Sequence, residues 1–274
     1  MFSPQVIGKQ LKADPMSRIG MTTVVFRDRF KAESAEPLKL DEVPVYYKER
    51  FGISNVELWS QHFESKDKSY LNGIKKSLRK TKCNLINIQA DTKNDLSDPD
   101  QTKREKALSE MTDWIDTAAY LGSKMVRASA MKKSYKDSLS SLKYLNTYCK
   151  KKGLVFLVEN HFDLYSIPSN HTKIFNDLSD ENVGLLADFG NYKKDVDRYV
   201  ALKQIASHTK LVSAKTSNFD EKYDHISYDF GRCVRIMESE GYRGVYSIEQ
   251  WGAKKDYDYE RIVNWMIDEI KENI

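Results

Sequence analysis

Three stretches of the chain end an apolar run in a carboxylate: Leu154-Val155-Phe156-Leu157-Val158-Glu159, Val183-Gly184-Leu185-Leu186-Ala187-Asp188 and Val245-Tyr246-Ser247-Ile248-Glu249. Continuous apolar runs of this length read as parallel strands covered on both faces. Each acid then falls where a strand gives way to a loop, so Glu159, Asp188 and Glu249 converge on one rim. Carboxylates gathered there are costly unless compensated. A divalent cation is one compensation. Oxygen-rich ligation suits magnesium or manganese, and imidazoles would shift the preference toward manganese, cobalt or zinc. Ion pairing is the other, with Lys215 and Arg127 available.

The elements that must position these acids follow a strand–loop–helix rhythm. Strands are expected over residues 19–26, 55–59, 85–90, 125–128, 154–159, 183–188, 211–215 and 245–249. Helices are expected over 40–51, 68–79, 99–121, 135–151, up to about 178 after a cap at Ser169 or Asn170, and over 196–207, 228–240 and 257–272. Gly52, Gly122, Gly153 and Gly241 stand where helices should stop. Eight alternating pairs predict a single (β/α)8 barrel over residues 18–274, after an irregular lead-in over 1–17. An open doubly wound sheet is the alternative, but no GxGxxG follows the first strand.

In such a barrel the loops after the strands form one mouth, where active sites sit. That mouth would collect Arg27, Glu57 with His62, Gln89 and Asp91, Arg127, Glu159 with Asn160 and His161, Asp188 with Asn191, Lys215, and Glu249 with Gln250 and Trp251. Trp59, Phe189, Tyr192 and Trp251 could stack on the apolar face of a small ligand. His171 and His208 fall on expected helices and read as surface residues, and His225 as a loop residue.

Composition excludes several classes. The 44 basic and 40 acidic residues are interspersed and net only +4, so no nucleic-acid footprint stands out. Cys83, Cys149 and Cys233 are too scattered for a disulfide framework or zinc site and read as buried thiols. No apolar run approaches the length of a membrane span. The beginning of the chain lacks an apolar signal core, which suits a cytoplasmic protein or an exported form with its signal removed.

Val56-Glu57-Leu58-Trp59, Val158-Glu159-Asn160-His161, Asp188-Phe189-Gly190-Asn191, Gly241-Tyr242-Arg243-Gly244 and Ser247-Ile248-Glu249 together resemble the sugar phosphate isomerase/epimerase superfamily of xylose isomerase-like barrels. The resemblance spans nearly the whole chain in order. It implies one divalent metal held by Glu159, Asp188 and Glu249 with a strand-seven histidine, and the two glutamates as the acid/base pair. The substrate would be a small sugar, the reaction an isomerisation, epimerisation or related lyase step, and the assembly a possible homo-oligomer. Lys215, His161, Glu57, His62, Arg127, Asn191 and Trp251 would contact substrate. This chain departs from the pattern on strand seven, where Ser213-Ala214-Lys215 keeps the lysine of His-x-Lys and loses the histidine. Asn191 likewise stands where relatives often carry histidine. A non-catalytic or metal-free sugar-binding barrel is therefore the alternative reading. A nuclease like the family's endonuclease IV branch would need more histidines than the five present.

Overall fold

A computed structural model describes residues 14–128, 131–161, 163–178, 182–252 and 257–274; most of the expected lead-in lies outside them. Eight strands alternate with eight helices: β1 (Ile19–Thr22), α1 (Val43–Phe51), β2 (Asn55–Trp59), α2 (Lys68–Thr81), β3 (Asn84–Ala90), α3 (Gln101–Leu121), β4 (Met125–Ala128), α4 (Tyr135–Lys152), β5 (Val155–Glu159), α5 (Pro168–Leu178), β6 (Val183–Asp188), α6 (Arg198–Ile205), β7 (Thr209–Thr216), α7 (Phe230–Ser239), β8 (Val245–Gln250) and α8 (Tyr259–Asn273). Every strand pairs in parallel with the next, and β1 closes on β8. This is the expected single (β/α)8 barrel.

The period of two within a strand decides what faces the inside. Leu157, Leu186 and Leu211, with Ile86, form a buried cluster of their own, against which Met125, Val155 and Val245 pack. Glu159, Asp188 and Ser213 each lie two residues beyond one of those leucines, on the same face and one layer nearer the mouth. The barrel interior thus has an apolar floor and a polar ceiling. Burying each leucine stabilises the floor by about 1.5–3 kcal/mol, which helps hold the charged layer above it. Register completes the arrangement: Asp188 lies opposite Ser213, and Lys215 opposite Glu249.

Helix starts follow cap chemistry. Asp100, Asp197, Asp229 and Asp258 each accept hydrogen bonds from backbone N–H groups in the first turn of α3, α6, α7 and α8, and Ser134 does so for α4. The same caps explain why α3, α6, α7 and α8 begin two residues later than the apolar pattern alone suggests. Gly122 and Gly153 end α3 and α4 in the left-handed region, where glycine carries no steric penalty.

The first strand departs from expectation. Residues 19–26 are β-branched and apolar, yet β1 stops at Thr22 and a 3-10 segment, Thr23–Phe30, follows. The Thr22 hydroxyl accepts from the Val24 N–H, and the Thr23 hydroxyl accepts from the Trp59 N–H. Those local bonds outcompete a longer ladder. Val24 is thereby turned into the mouth.

The three cysteines are buried and free, as expected. His171 is not a surface residue: it is fully buried on α5 near Tyr165. Among the described residues, no helix is long and apolar enough to cross a membrane.

Candidate active site

The strand ends enclose a cavity of about 330 Å³. Trp59, Gln89, Asp91, Arg127, Glu159, His161, Asn191, Lys215, Glu249 and Trp251 line it, joined by Val24, Gly190 and Ser217. That volume lies at the small end of small-molecule sites. A larger groove, about 800 Å³, runs beside the 3-10 segment and the start of α8. Its charged walls, including Asp28, Lys31 and Glu36, are largely solvated, and none of the converging carboxylates reaches it.

Two cations organise the rim. Arg127, at the end of β4, places one terminal nitrogen 2.6 Å from Asp91 and its Nε 2.9 Å from Glu159. The Trp59 indole N–H donates to the other Asp91 oxygen at 2.6 Å. Burial alone would raise Asp91, but Arg127 and Trp59 outweigh it and hold the carboxyl below its usual range. Lys215, near the end of β7, places its ammonium 2.9 Å from Glu249, 3.1 Å from the Asn191 side-chain oxygen and 3.7 Å from Asp188. Gly190 makes room for it: a Cβ there would come within 3.0 Å of the Lys215 stem.

The glutamates sit in unlike surroundings. Burial pushes Glu159 up to about 7, against the pull of Arg127. Burial would raise Glu249 as well, but Lys215, Gln89 and Arg127 hold it below the usual carboxylate range. Asp188 is fully buried and lies beneath the cavity, not on its wall. Burial pushes its carboxyl up, and Lys215 and the Gly190 N–H oppose that. Asn160 pins the β5 and β6 ends together by bonding both backbone groups of Asp188.

Five of the six oxygens of the expected metal ligands already accept from hydrogen-bearing groups; the sixth, Glu159 Oε2, lies beside Arg127 Nε without a hydrogen bond. Glu159 meets the Asn191 amide at 3.3 Å and Arg127 at 2.9 Å. Asp188 accepts from the Gly190 and Asn191 backbone N–H groups at 2.6 and 3.0 Å, and from the Asn191 amide at 2.9 Å. Glu249 accepts from Lys215 at 2.9 Å, and from Gln89 and the Ser213 hydroxyl at 3.1 Å each. Among the described residues no group of three or more histidine, cysteine or acidic side chains is placed to hold a metal ion. Asn191 turns its NH2 toward the acids and its oxygen toward Lys215, the reverse of a ligand set. The arrangement does not fit a divalent cation, in contrast to what the three acids suggest alone.

Of the expected substrate contacts, Lys215, His161, Arg127, Asn191 and Trp251 line the cavity. Burial, with Arg127 and Lys215 nearby, pushes His161 down and keeps its ring neutral. Two residues are placed elsewhere. Glu57 is fully buried within the barrel, where it accepts from Asn87 at 2.6 Å and from the Ser247 hydroxyl. Burial pushes it up to about 7. His62 stacks on Phe30 with centroids 4.0 Å apart and bonds the Thr23 hydroxyl, outside the cavity wall. Arg27 also stays off the wall, stacked over Trp251 at 4.5 Å. His225 serves the β7 loop, accepting from the Ser217 N–H. Sequence reasoning missed Val24 and Ser217: the first was read as continuing a strand, and the second lies just past the expected end of β7.

A family model for the xylose isomerase-like TIM barrel matches residues 47–269. The chain belongs to the xylose isomerase-like TIM barrel family. No curated protein sequence matches it significantly. Among solved structures, an L-ribulose 3-epimerase aligns with TM-score 0.72 at 15% identity, covering 93% of this chain and 95% of that one. The apo 3-keto-D-glucoside 4-epimerase of E. coli aligns with TM-score 0.70 at 14% identity, covering 91% and 98%. A xylose isomerase-like protein from Mycobacterium smegmatis, solved in complex with magnesium, aligns with TM-score 0.66 at 13% identity, covering 93% and 97%. At these identities the likeness is one of fold.

Proposed function

We propose that the protein is a sugar isomerase or epimerase, or a related lyase, that moves a proton next to the carbonyl of a small sugar or polyol-derived substrate. Glu159 and Glu249 would be its acid/base pair. The observation that carries this reading is that two buried glutamates, on β5 and β8, line one small cavity, Glu159 beside Arg127 with one oxygen left without a hydrogen bond and Glu249 held by Lys215, Gln89 and Ser213. Membership of the family and the epimerases among the structural neighbours support the same class.

The chemistry follows from proton transfer by positioned carboxylates, which contributes about 10²–10⁴-fold. Glu249, the more acidic of the two, takes the proton from the carbon beside the carbonyl. The C–H electron pair becomes a carbon–carbon double bond, and the carbonyl pair moves onto oxygen to give an enediolate. Glu159, protonated, returns a proton to that carbon as the carbonyl re-forms, giving the epimer; return to the neighbouring carbon gives the isomer, with the hydroxyl proton passing from one enediolate oxygen to the other. A carboxylate offers about four lone-pair sites, so Glu249 can accept a proton while Lys215, Gln89 and Ser213 hold it. The Trp59 and Trp251 rings, 6.3 Å apart and near-perpendicular, give a sugar an apolar wall to lie against.

Incubation with a panel of ketoses and aldoses, read by chromatography and NMR, tests this. An isomer or epimer should form with the native chain and not with Glu159→Gln or Glu249→Gln. A fully active variant of either would remove that glutamate from the mechanism. Tight sugar binding without turnover would favour the non-catalytic sugar-binding barrel, the reading motivated by Ser213.

A further inference from the structure

We propose that the Lys215 ammonium stands in the place of the family's divalent cation, and that the site works without a metal. This rests on the sugar isomerase reading and names the group that stabilises its oxyanion.

A cation among the rim acids must be held by several of them, must reach the cavity and must be kept in position. Lys215 meets each condition. Its ammonium has three N–H donors and three oxygen neighbours: Glu249 at 2.9 Å, Asn191 at 3.1 Å and Asp188 at 3.7 Å. Two of these are the carboxylates that would otherwise bind metal. Its side chain is 13% exposed and lines the cavity. Gly190 leaves its stem a path, and the Tyr228 hydroxyl donates to its backbone carbonyl. The family pattern carries this lysine beside its histidine, so the lysine alone does not exclude a metal; with Ser213 in the histidine's place, the ammonium is left to pair with Glu249 and Asp188.

The two departures on β7 and after β6 point the same way. The Ser213 hydroxyl donates to Glu249, where the family's imidazole would offer a lone pair to a metal. Asn191 donates to Glu159 and Asp188 and offers its oxygen to Lys215. Replacing two imidazoles by a hydroxyl and an amide removes ligands and adds hydrogen-bond donors, which is what a lysine-centred site requires. When the proton leaves the substrate carbon for Glu249, negative charge grows on the carbonyl oxygen. The ammonium stabilises that charge without itself losing a proton.

Metal binding by the intact chain tests this without any substrate. The chain is stripped with EDTA, equilibrated with millimolar manganese, magnesium, cobalt or zinc, desalted, and subjected to elemental analysis; melting is followed in parallel. The expected result is no retained metal and no shift in melting temperature. The double variant Ser213→His/Lys215→Ala vacates the position and restores an imidazole, and should bind manganese at least about tenfold more tightly than the native chain. A further Glu249→Gln change should remove that gain. Near-stoichiometric manganese in the native chain, lost in Glu249→Gln, would overturn the proposal. So would a folded double variant that binds no more manganese than the native chain. If the double variant does not fold, the native chain decides alone. Failure of the sugar reading would look different: no sugar turned over, with the metal results unchanged.

Discussion

The rim carries two cations, each clamped between two carboxylates, and the two clamps differ in what lies open. Arg127 is gripped by Asp91 and Glu159 with its side chain 4% exposed, and Trp59 backs Asp91 from the far side. Lys215 is gripped by Glu249 and Asp188 with its side chain 13% exposed. Arginine's planar fork commits its donors to fixed partners, whereas an ammonium is a point charge on a flexible stem that can be re-aimed. The comparison teaches that similar charge pairing serves two ends: the arginine clamp ties β3, β4 and β5 together, and the lysine clamp presents charge to a ligand.

Substitutions on the two sides should therefore separate activity from stability. The largest effect is expected for Glu249→Gln on the lysine side. Turnover should fall by about 10²–10⁴-fold as general-base catalysis is lost, and the melting temperature should fall modestly, because one carboxylate oxygen becomes an NH2 set against Lys215 or against Gln89 and Ser213, all of them donors. Steady-state kinetics beside a thermal melt checks both halves. Arg127→Met comes next. Breaking a buried pair strands Asp91 and Glu159, and denaturant unfolding should show a loss of about 3–5 kcal/mol. A smaller loss would break the comparison, because Arg127 would then not be the structural clamp.

Lys215→Met should do the reverse. Turnover should drop by about 10²–10³-fold, the range for removing one donor to a developing oxyanion. The stability loss should be smaller than for Arg127→Met, because Asp188 keeps its hydrogen bonds from Gly190 and Asn191, and Glu249 keeps those from Gln89 and Ser213. Equal stability losses for the two variants would erase the distinction. The smallest effect is expected for Trp251→Ala. Its ring is 47% exposed, so stability should hold, while KM should rise about tenfold from the lost stacking surface. Trp59→Phe, which removes the bond to Asp91, should instead lower stability by about 1.5–3 kcal/mol, a hydrogen bond to a charged acceptor.

Much of this was legible in the chain. The barrel follows from eight strand–helix alternations, and the rim acids from apolar runs that stop at Glu159, Asp188 and Glu249, because both are local patterns. Glycine stops and aspartate caps are local too, although the caps shortened several helices. What the chain did not disclose depends on partners distant in sequence. Gln89 reaches Glu249 across 160 positions, and Asn191 reaches Glu159 across 32. Which donor meets which carboxylate oxygen follows from barrel closure and register, so three acids alone read as a metal site. Glu57 illustrates the same limit. It stands on a strand like the others, but its bonds to Asn87 and Ser247 draw it inside the barrel. His171 sits on a helix, and only the packing of α5 shows that its face is the buried one.

The most direct test of the central claim, proton transfer between Glu159 and Glu249 in the mouth of this barrel, is solvent exchange. The EDTA-treated protein would be incubated with ketoses in D2O and the carbon beside the carbonyl followed by NMR. The account predicts that deuterium enters that carbon of at least one sugar with the native chain, and that Glu249→Gln abolishes the exchange. A sugar isomerised with no solvent deuterium gained, or exchange that survives in Glu249→Gln, would contradict it.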